Sequence, residues 1–145
     1  MYREAGLTTI EITMNTPDAE KIIKYAVEHH REALHGMVHN TGGAQTKCLK
    51  YFSEPVRIIK DNLFEPPLIF SLIQEASGIS YQEMYQVFNM GTRLEIYTDA
   101  ATAEAIIKHS RSLNVEAQIV GRVEAADQKE VVVRSRFGEF VYRGE

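Results

Sequence analysis

Hydrophobic and polar positions along the chain repeat with two periods, one of about two residues and one of about 3.6 residues. Alternation with β-branched residues is typical of a strand, whereas apolar positions three and four apart are typical of a helix with one buried face. The first pattern predicts strands at residues 7–14, 34–39, 56–60, 92–98, 115–123, 131–136 and 139–143. The second predicts helices at about 17–33, 44–52, 67–77, 81–88 and 99–113.

Strands and helices alternate along most of the chain, but the last two strands follow each other across Phe137-Gly138 and predict a terminal hairpin. This order favours an α+β fold with a mainly antiparallel sheet, helices packed on it, and a loose likeness to ferredoxin-like folds. A length of 145 residues suits one domain with a moderate core. Because no low-complexity stretch or linker divides the chain, we expect a single domain over residues 1–145.

The distribution of charged residues along the chain indicates which kinds of ligand the protein can bind. The net charge is −4, yet residues 39–60 hold four basic side chains against one acidic, which makes this segment electropositive. An acidic protein with one basic segment is not typical of nucleic-acid binding, but it permits a small anionic ligand. No apolar run approaches the length of about 20 residues that crosses a bilayer. The N-terminus lacks an apolar signal core and Cys48 has no second cysteine, and both observations favour the cytoplasm.

Standard catalytic motifs are absent from the sequence: there is no Walker A loop, no G-x-G-x-x-G, no C-x-x-C and no H-E-x-x-H. His29, His30, His35 and His39 lie close together in sequence. Because His29 and His30 are adjacent on a predicted helix, they face different directions, and we expect no metal site. No residue is a strong candidate for a general base.

Asn40-Thr41-Gly42-Gly43, which we call the glycine turn, lies between the predicted strand 34–39 and the predicted helix 44–52. Such a junction can present backbone N–H groups to an anion, and the helix N-terminus adds a favourable partial charge. His39 and the Thr41 hydroxyl lie beside it, and Lys47 follows one helical turn later. The same junction is also typical of a tight turn without any ligand, so the spacing alone leaves both interpretations open. The segment Asn89-Met90-Gly91, which we call the asparagine turn, leaves the same alternatives open.

Three segments taken together carry a resemblance. They are "HNTGGAQTKCL" at 39–49, "DNLFEPPLIFSLIQEASGISYQEMYQVFNMG" at 61–91 and "AQIVGRV" at 117–123. In order and spacing they resemble the C-terminal domain of the aminoimidazole ribonucleotide synthetase family, also called phosphoribosylformylglycinamidine cyclo-ligase. The resemblance spans about residues 36–123, and its most specific part runs from Pro66 to Gly91.

The resemblance implies an ATP-dependent carbon–nitrogen ligase of purine biosynthesis. That family converts formylglycinamidine ribonucleotide and ATP, with Mg²⁺, to aminoimidazole ribonucleotide, ADP and phosphate. Its ATP and Mg²⁺ residues belong mainly to an N-terminal domain that also forms a homodimer, and the substrates lie between the two domains. The 145-residue chain is less than half of such an enzyme. We therefore expect the N-terminal ATP-binding domain to be a separate partner and the isolated chain to be folded but inactive.

The resemblance also implies which residues of this chain face a ribonucleotide phosphate substrate. His39 and Thr41 are implied as side-chain contacts, Gly42 and Gly43 as backbone donors, and Asn89 and Gly91 as a neighbouring wall. Two positions depart from the family pattern: Ala44 replaces a third glycine, and Thr92-Arg93-Leu94 replaces Ile-Gly-Met. Arg93 either contacts a substrate phosphate or lies on the outer face of the strand, which the alternation favours.

These departures leave other functions open. The chain could belong to a related ATP-dependent member of the same superfamily, such as selenophosphate synthetase, thiamine-phosphate kinase, a hydrogenase maturation factor or the preceding amidotransferase. It could also be a stand-alone binding module for ribonucleotides or other anions without catalysis, or a domain in which the glycine turn is only a turn. Of these alternatives, the Pro-Pro and Phe-Asn-Met-Gly segments agree best with the cyclo-ligase.

Overall fold

Seven strands and four α-helices, with two short 3₁₀ helices, make up the computed structural model, which describes residues 7–12 and 18–144. The strands are β1 (Leu7–Ile12), β2 (Leu34–His39), β3 (Val56–Lys60), β4 (Leu94–Thr98), β5 (Ala117–Ala125), β6 (Glu130–Ser135) and β7 (Gly138–Arg143). The helices are α1 (Ala19–His30), α2 (Leu68–Ser77), α3 (Tyr81–Val87) and α4 (Ala100–Ser112), and the 3₁₀ helices are Arg31–Ala33 and Ala44–Lys50.

The strands form one mixed sheet in the order β2-β4-β1-β5-β3-β6-β7. β3 and β6 run parallel, and the other neighbouring pairs in the described sheet run antiparallel. β6 and β7 form the predicted terminal hairpin. The α+β class is therefore confirmed, as a mixed seven-stranded sheet with helices. The likeness to ferredoxin-like folds is not confirmed by this topology.

Each face of the sheet carries its own hydrophobic layer. On one face α1 and α4 pack against the sheet, with Ile22 and Ile106 fully buried among the residues of this layer. On the other face the 3₁₀ helix Ala44–Lys50, α2 and α3 enclose a second layer that contains Cys48 and Met84. We call these the α1/α4 layer and the α2/α3 layer.

β4 contributes to both layers and is buried along its whole length. Leu94 and Ile96 belong to the α1/α4 layer, whereas Tyr97 belongs to the α2/α3 layer. Because side chains alternate along a strand, Glu95 points to the same face as Tyr97. A carboxylate is thereby placed inside the α2/α3 layer, below the 3₁₀ helix that follows the glycine turn.

Several predicted helix boundaries are confirmed by hydrogen bonds or dihedral angles. The Asp99 carboxylate accepts from Thr102 N–H at 2.9 Å at the start of α4, and the Ser80 hydroxyl accepts from Glu83 N–H at 3.2 Å at the start of α3. Gly78 ends α2 in the left-handed region, at φ 69°.

Other boundaries differ from the prediction. The helix expected at 44–52 is a 3₁₀ helix that ends at Lys50. The predicted first strand reached residue 14, and the first helix was expected to begin at about residue 17; residues 13–17 lie outside the described part of the chain. None of the helices in that part has the length and apolar character that a bilayer crossing requires.

Candidate functional site

The glycine turn leaves the end of β2 and enters the 3₁₀ helix Ala44–Lys50, as the sequence predicts. Its first residue, Asn40, is buried, whereas Thr41 and Gly42 are exposed and Gly43 is half-buried. Gly43 has φ 88°, in the left-handed region where glycine is favoured. Gly42 has no such requirement, and a Cβ atom added there would meet no atom within 4 Å. The turn therefore needs glycine at 43 for its conformation, while glycine at 42 keeps the surface above the backbone open.

Some backbone N–H groups of the turn and its flanking residues form hydrogen bonds within this segment, and others do not. Thr41 N–H donates to His39 O at 2.9 Å, and Ala44 N–H donates to Thr41 O at 3.0 Å. Among the described residues, the hydrogen bonds of the turn do not use the N–H groups of Gly42 and Gly43. These two adjacent donors are the groups that an anion would contact, because backbone N–H groups at a turn form anion-binding concavities.

Lys47 lies across the turn. Its ammonium group donates to the Thr41 hydroxyl at 2.7 Å and to His39 O at 2.8 Å. Its stem covers Gly43, since a Cβ added to Gly43 would lie 3.5 Å from Lys47 Cβ. The sequence places Lys47 one helical turn beyond the glycines, and the structure shows that its charge returns to them. His39 and Thr41 thus lie beside a fixed positive charge.

The asparagine turn follows α3 and has its own internal hydrogen bond, from Gly91 N–H to the Asn89 side-chain oxygen at 3.0 Å. Gly91 has φ 99°, and a Cβ added there would lie 2.8 Å from Pro67 Cδ. Met90 also has positive φ, 54°, and is buried. Pro67 and Gly91, which are separate motifs in the sequence, are therefore in direct contact, and only glycine leaves room for the proline ring.

Two hydrogen bonds join the asparagine turn to Asn40 of the glycine turn and to Gln45 of the 3₁₀ helix that follows it. Gln45 Nε2 donates to Asn89 O at 3.0 Å, and Asn89 Nδ2 donates to Asn40 O at 3.4 Å. In addition, Asn40 N–H donates to Arg93 O at 2.6 Å. The predicted site residues of the two segments, nearly 50 positions apart in sequence, are thus brought together on one side of the molecule.

A cavity of about 460 Å³ lies beside the asparagine turn. Asn89, Gly91 and Arg93 line one part of it, and Pro67 and Ile69 line another. Arg93 immediately precedes β4, and its side chain is exposed. Arg93 shares this cavity with Glu65 and Glu116, and its planar guanidinium group can donate two parallel hydrogen bonds to phosphate oxygens.

A buried polar cluster below the glycine turn was not predicted from the sequence. It consists of Asn40, Gln45, Lys60, Glu95 and Tyr97, all of them at most 1% exposed. Lys60 Nζ lies 2.5 Å from Glu95 Oε1, and both side chains are fully buried. Tyr97 donates its hydroxyl to Glu95 Oε2 at 2.7 Å. The sequence does carry one indication of this cluster. Because side chains alternate along a strand, Lys60 lies on the same face of β3 as Val56 and Ile58, which point toward the core.

Burial controls the ionisation of the neighbouring groups. It is the largest cause that raises the pKa of the Cys48 thiol, and it also raises the pKa of Tyr97 well above its ordinary value. Cys48 donates weakly to Gln45 O at 3.5 Å and is fully buried. A buried thiol with a raised pKa is not a nucleophile.

The electropositive segment predicted at residues 39–60 is weaker in the structure than in the sequence. Lys60 is buried against Glu95, and Arg57 forms an ion pair with Glu130 on the other face of the sheet. Lys47 and Lys50 remain near the glycine turn. The positive charges of the segment that remain near the glycine turn are therefore those of Lys47 and Lys50, while Arg93, a residue outside the segment, lines the cavity beside the asparagine turn.

The family model described as "AIR synthase related protein, C-terminal domain" matches residues 6–134. This match covers nearly the whole chain. The chain belongs to the AIR synthase C-terminal domain family.

Curated relatives of the chain are cyclo-ligases. The phosphoribosylformylglycinamidine cyclo-ligase of Methanopyrus kandleri is 37% identical over 91 residues, which cover 63% of this chain and 26% of that protein. The enzyme of the same name from Methanocaldococcus jannaschii is 39% identical over 88 residues, which cover 61% and 25%. The chain thus spans about a quarter of the length of these relatives.

Solved structures with the same fold include more distant proteins. The hydrogenase maturation protein HypE superposes with a TM-score of 0.63 at 12% identity, over 99% of this chain and 54% of that one. T. maritima PurL complexed with FGAR superposes with a TM-score of 0.59 at 14% identity, over 93% and 26%. At these identities the superpositions show that the AIR synthase C-terminal fold is shared.

Proposed function

We propose that the chain is the C-terminal domain of a phosphoribosylformylglycinamidine cyclo-ligase and that it contributes the substrate-binding side of the active site. The reaction converts formylglycinamidine ribonucleotide and ATP to aminoimidazole ribonucleotide, ADP and phosphate. One observation carries the proposal: the glycine turn, the asparagine turn and Pro67 are in contact at one surface. The identity to curated cyclo-ligases supports it, since similarity of sequence extends over most of the chain.

In this proposal the glycine turn holds the substrate phosphate. Gly42 and Gly43 donate their free N–H groups, and Lys47 supplies a positive charge that Thr41 and His39 already hold in place. Asn89 and Gly91 form the adjoining wall, where Arg93 faces the same cavity. Such fixed donors suit an enzyme that must orient two anionic substrates and offset charge during phosphoryl transfer.

ATP and Mg²⁺ belong to a companion domain in the same proposal. Among the described residues, no group of three or more His, Cys, Asp or Glu side chains is arranged to hold a metal ion. Two structural neighbours, HypE and T. maritima PurL, have been solved in complex with ATP. We assign nucleotide binding to an N-terminal domain like that expected from the longer relatives, in a cytoplasmic homodimer.

The phosphate role of the glycine turn can be tested on this chain alone. In a ¹⁵N-labelled sample titrated with inorganic phosphate, we expect saturable shifts of the Gly42 and Gly43 amide signals. Gly42→Leu should abolish these shifts with little change in stability, because the added side chain meets open space above the turn. Gly36→Ala is the matched control, since its Cβ meets only Tyr97 Cδ2 at 3.9 Å, away from the turn. Shifts that survive Gly42→Leu, or a wild-type chain that never responds, contradict the phosphate role.

The catalytic part of the proposal has a separate test. The purified chain, mixed with formylglycinamidine ribonucleotide, ATP and Mg²⁺, is expected to release no ADP above background, because it lacks the nucleotide-binding domain. Steady ADP release that depends on formylglycinamidine ribonucleotide would contradict this expectation.

A stand-alone anion-binding module is the second candidate. It is favoured by the fact that Gly42, Gly43 and Lys47 are all contributed by this chain and need no second domain to form a phosphate site. A gene whose reading frame encodes acidic ATP-site motifs upstream of this segment favours the cyclo-ligase. Phosphate binding without any such upstream region or companion protein favours the module.

A further inference from the structure

The ion pair between Lys60 and Glu95 joins two strands that are not neighbours. β3 and β4 are separated in the sheet by β1 and β5. In register, Lys60 pairs with Gly121, Gly121 pairs with Thr9, and Thr9 pairs with Tyr97. The two intervening strands thus present a glycine and a threonine, which are small, along the row that the lysine side chain must cross to reach Glu95.

The two charged groups hold opposite sides of the glycine turn. Lys60 Nζ donates to Gln45 O at 2.8 Å and to Gln45 Oε1 at 3.0 Å, on the side where the 3₁₀ helix begins. Glu95 Oε1 accepts from Asn40 Nδ2 at 2.8 Å, on the side where β2 ends. The turn is therefore fixed at both ends by the partners of a single buried ion pair.

Gln45 and Asn40, which Lys60 and Glu95 hold by hydrogen bonds, also contact the asparagine turn. Gln45 donates to Asn89 O, and Asn40 O accepts from the Asn89 side chain. Lys60 and Glu95 thereby contact Gln45 and Asn40, the two residues that form these hydrogen bonds to Asn89. Neither charged group is exposed, so neither contacts a ligand directly.

We propose that Lys60 and Glu95 are positioning residues, which hold the Gly42 and Gly43 donors at the spacing that a phosphate requires. This inference rests on the proposed phosphate role of the glycine turn. The physical reason is that Ala44, a non-glycine residue next to Gly43, has φ 43°, and such a conformation persists only when its surroundings fix it. Buried polar groups joined by hydrogen bonds can fix a unique arrangement that apolar groups of similar volume do not. In this cluster Lys60, Glu95, Gln45 and the Asn40 amide nitrogen are joined in this way, whereas Asn40 Oδ1 has no partner among the described residues.

The test replaces the pair as a unit, because removal of one partner alone leaves a buried charge. In Lys60→Met/Glu95→Leu the layer stays filled, and we expect the chain to fold while the glycine turn becomes mobile. The ¹⁵N order parameters of Gly42 and Gly43 should fall from about 0.85 to below about 0.6, and phosphate affinity should fall at least about tenfold. Arg57→Met/Glu130→Leu is the matched control, because it removes an ion pair of the opposite face and should change neither measurement.

A less severe variant keeps the inference falsifiable if the double replacement does not fold. Gln45→Met retains the volume and the backbone acceptor of Lys60 but removes Oε1 and the donor to Asn89. It should lower the same order parameters and the phosphate affinity by a smaller factor. If a folded variant of either kind keeps wild-type order parameters at Gly42 and Gly43, the positioning role is wrong.

The two proposals fail in different ways. If the wild-type chain does not bind phosphate but the turn loosens in both variants, the proposed function fails and the positioning of the turn stands. If phosphate binds to the wild type and equally to both folded variants, the function stands and the positioning role is overturned.

Discussion

Lys60 is the residue whose loss should cost most stability for its size. It is fully buried with Glu95, and its ammonium group donates to Glu95 Oε1 and to the backbone and side-chain oxygens of Gln45. Lys60→Met removes the cation and leaves the Glu95 carboxylate buried without its charge partner, a change that costs about 3–5 kcal/mol. Urea unfolding at neutral pH measures the loss as a lower midpoint at unchanged slope.

Arg57→Met is the control for that measurement. Arg57 is also paired with a carboxylate, that of Glu130, but its own side chain is 45% exposed and Glu130 keeps further contacts to Gln128 and Arg143. Exposed or partly exposed pairs contribute much less to stability than buried pairs. Equal losses in the two variants would show that Lys60 is not held in the low-dielectric interior that the structure describes.

Gly91 should tolerate no side chain. Gly91→Ala places a Cβ 2.8 Å from Pro67 Cδ in a backbone with φ 99°, so strain and a steric overlap act together. We expect a loss of about 1–3 kcal/mol in the free energy of unfolding, measured by thermal or urea unfolding. The same substitution at Gly42, where the backbone lies outside the left-handed region and the space is open, should change stability by less than about 0.5 kcal/mol. A similar loss at both positions would contradict the close packing of Pro67 on Gly91.

What the sequence reveals at this scale depends on whether a residue's role is local. The need for glycine at 78 follows from its place at the end of a predicted helix, and Gly78 adopts the left-handed region in the structure. The partner of Lys60 could not be predicted, because it lies 35 positions away on a strand that is not adjacent. Site roles of His39, Thr41, Asn89 and Gly91 stay predictions that binding experiments must test.

At the scale of single elements, α4 offers a test of electrostatics. Asp99 caps the helix by accepting from Thr102 N–H, and this hydrogen bond is the main cause that lowers the pKa of the carboxyl. Because the folded state binds the proton less readily than the unfolded state, the stabilisation is present above about pH 4 and is lost as pH falls through the folded pKa. Asp99→Ala should cost about 1 kcal/mol at pH 7 and less at pH 3.

Asp99→Asn is the matched variant, since an amide oxygen can cap the helix at any pH. We expect it to be close to the wild type at neutral pH and to show a smaller decrease in stability on acidification. Unfolding free energies measured at several pH values between 7 and 3 check this. If the free energy of unfolding falls equally on acidification in the wild type and in Asp99→Asn, the loss of stability at low pH is caused by other carboxylates.

For the helix that follows the glycine turn, the sequence predicts the position correctly but does not predict that the helix is of the 3₁₀ type. Apolar residues at helical spacing, including Cys48 and Leu49, are buried as predicted. Yet Ala44 has φ 43°, and Thr46 N–H donates to Gly43 O in an i to i+3 bond, so the segment winds as a 3₁₀ helix. The periodicity of seven residues does not distinguish 3.0 from 3.6 residues per turn. The long-range contacts below the turn, which the sequence does not display, fix the tighter form.

At the scale of the molecule, α2 presents an apolar surface to solvent. Leu68, Ile69 and Leu72 are 73%, 55% and 50% exposed, and Ile69 also lines the cavity beside the asparagine turn. Leu68→Ser/Leu72→Ser should change the free energy of unfolding of the isolated chain by less than about 1 kcal/mol, because the side chains bury little area. A larger loss, dependent on protein concentration, would show that copies of the chain already cover this surface. A small loss leaves the surface available to the companion domain that we propose.

The two hydrophobic layers should unfold together although they lie on opposite faces of the sheet. β4 is buried on both sides and supplies Ile96 to the α1/α4 layer and Tyr97 to the α2/α3 layer, so neither layer can lose its packing without exposing the other side of the same strand. Single domains of fewer than about 150 residues usually unfold in one cooperative transition.

We expect coincident urea midpoints for far-UV circular dichroism and for NMR signals of Ile106 in one layer and Met84 in the other. If the Met84 signal is lost at lower urea than the Ile106 signal, the α2/α3 layer is a separate cooperative unit.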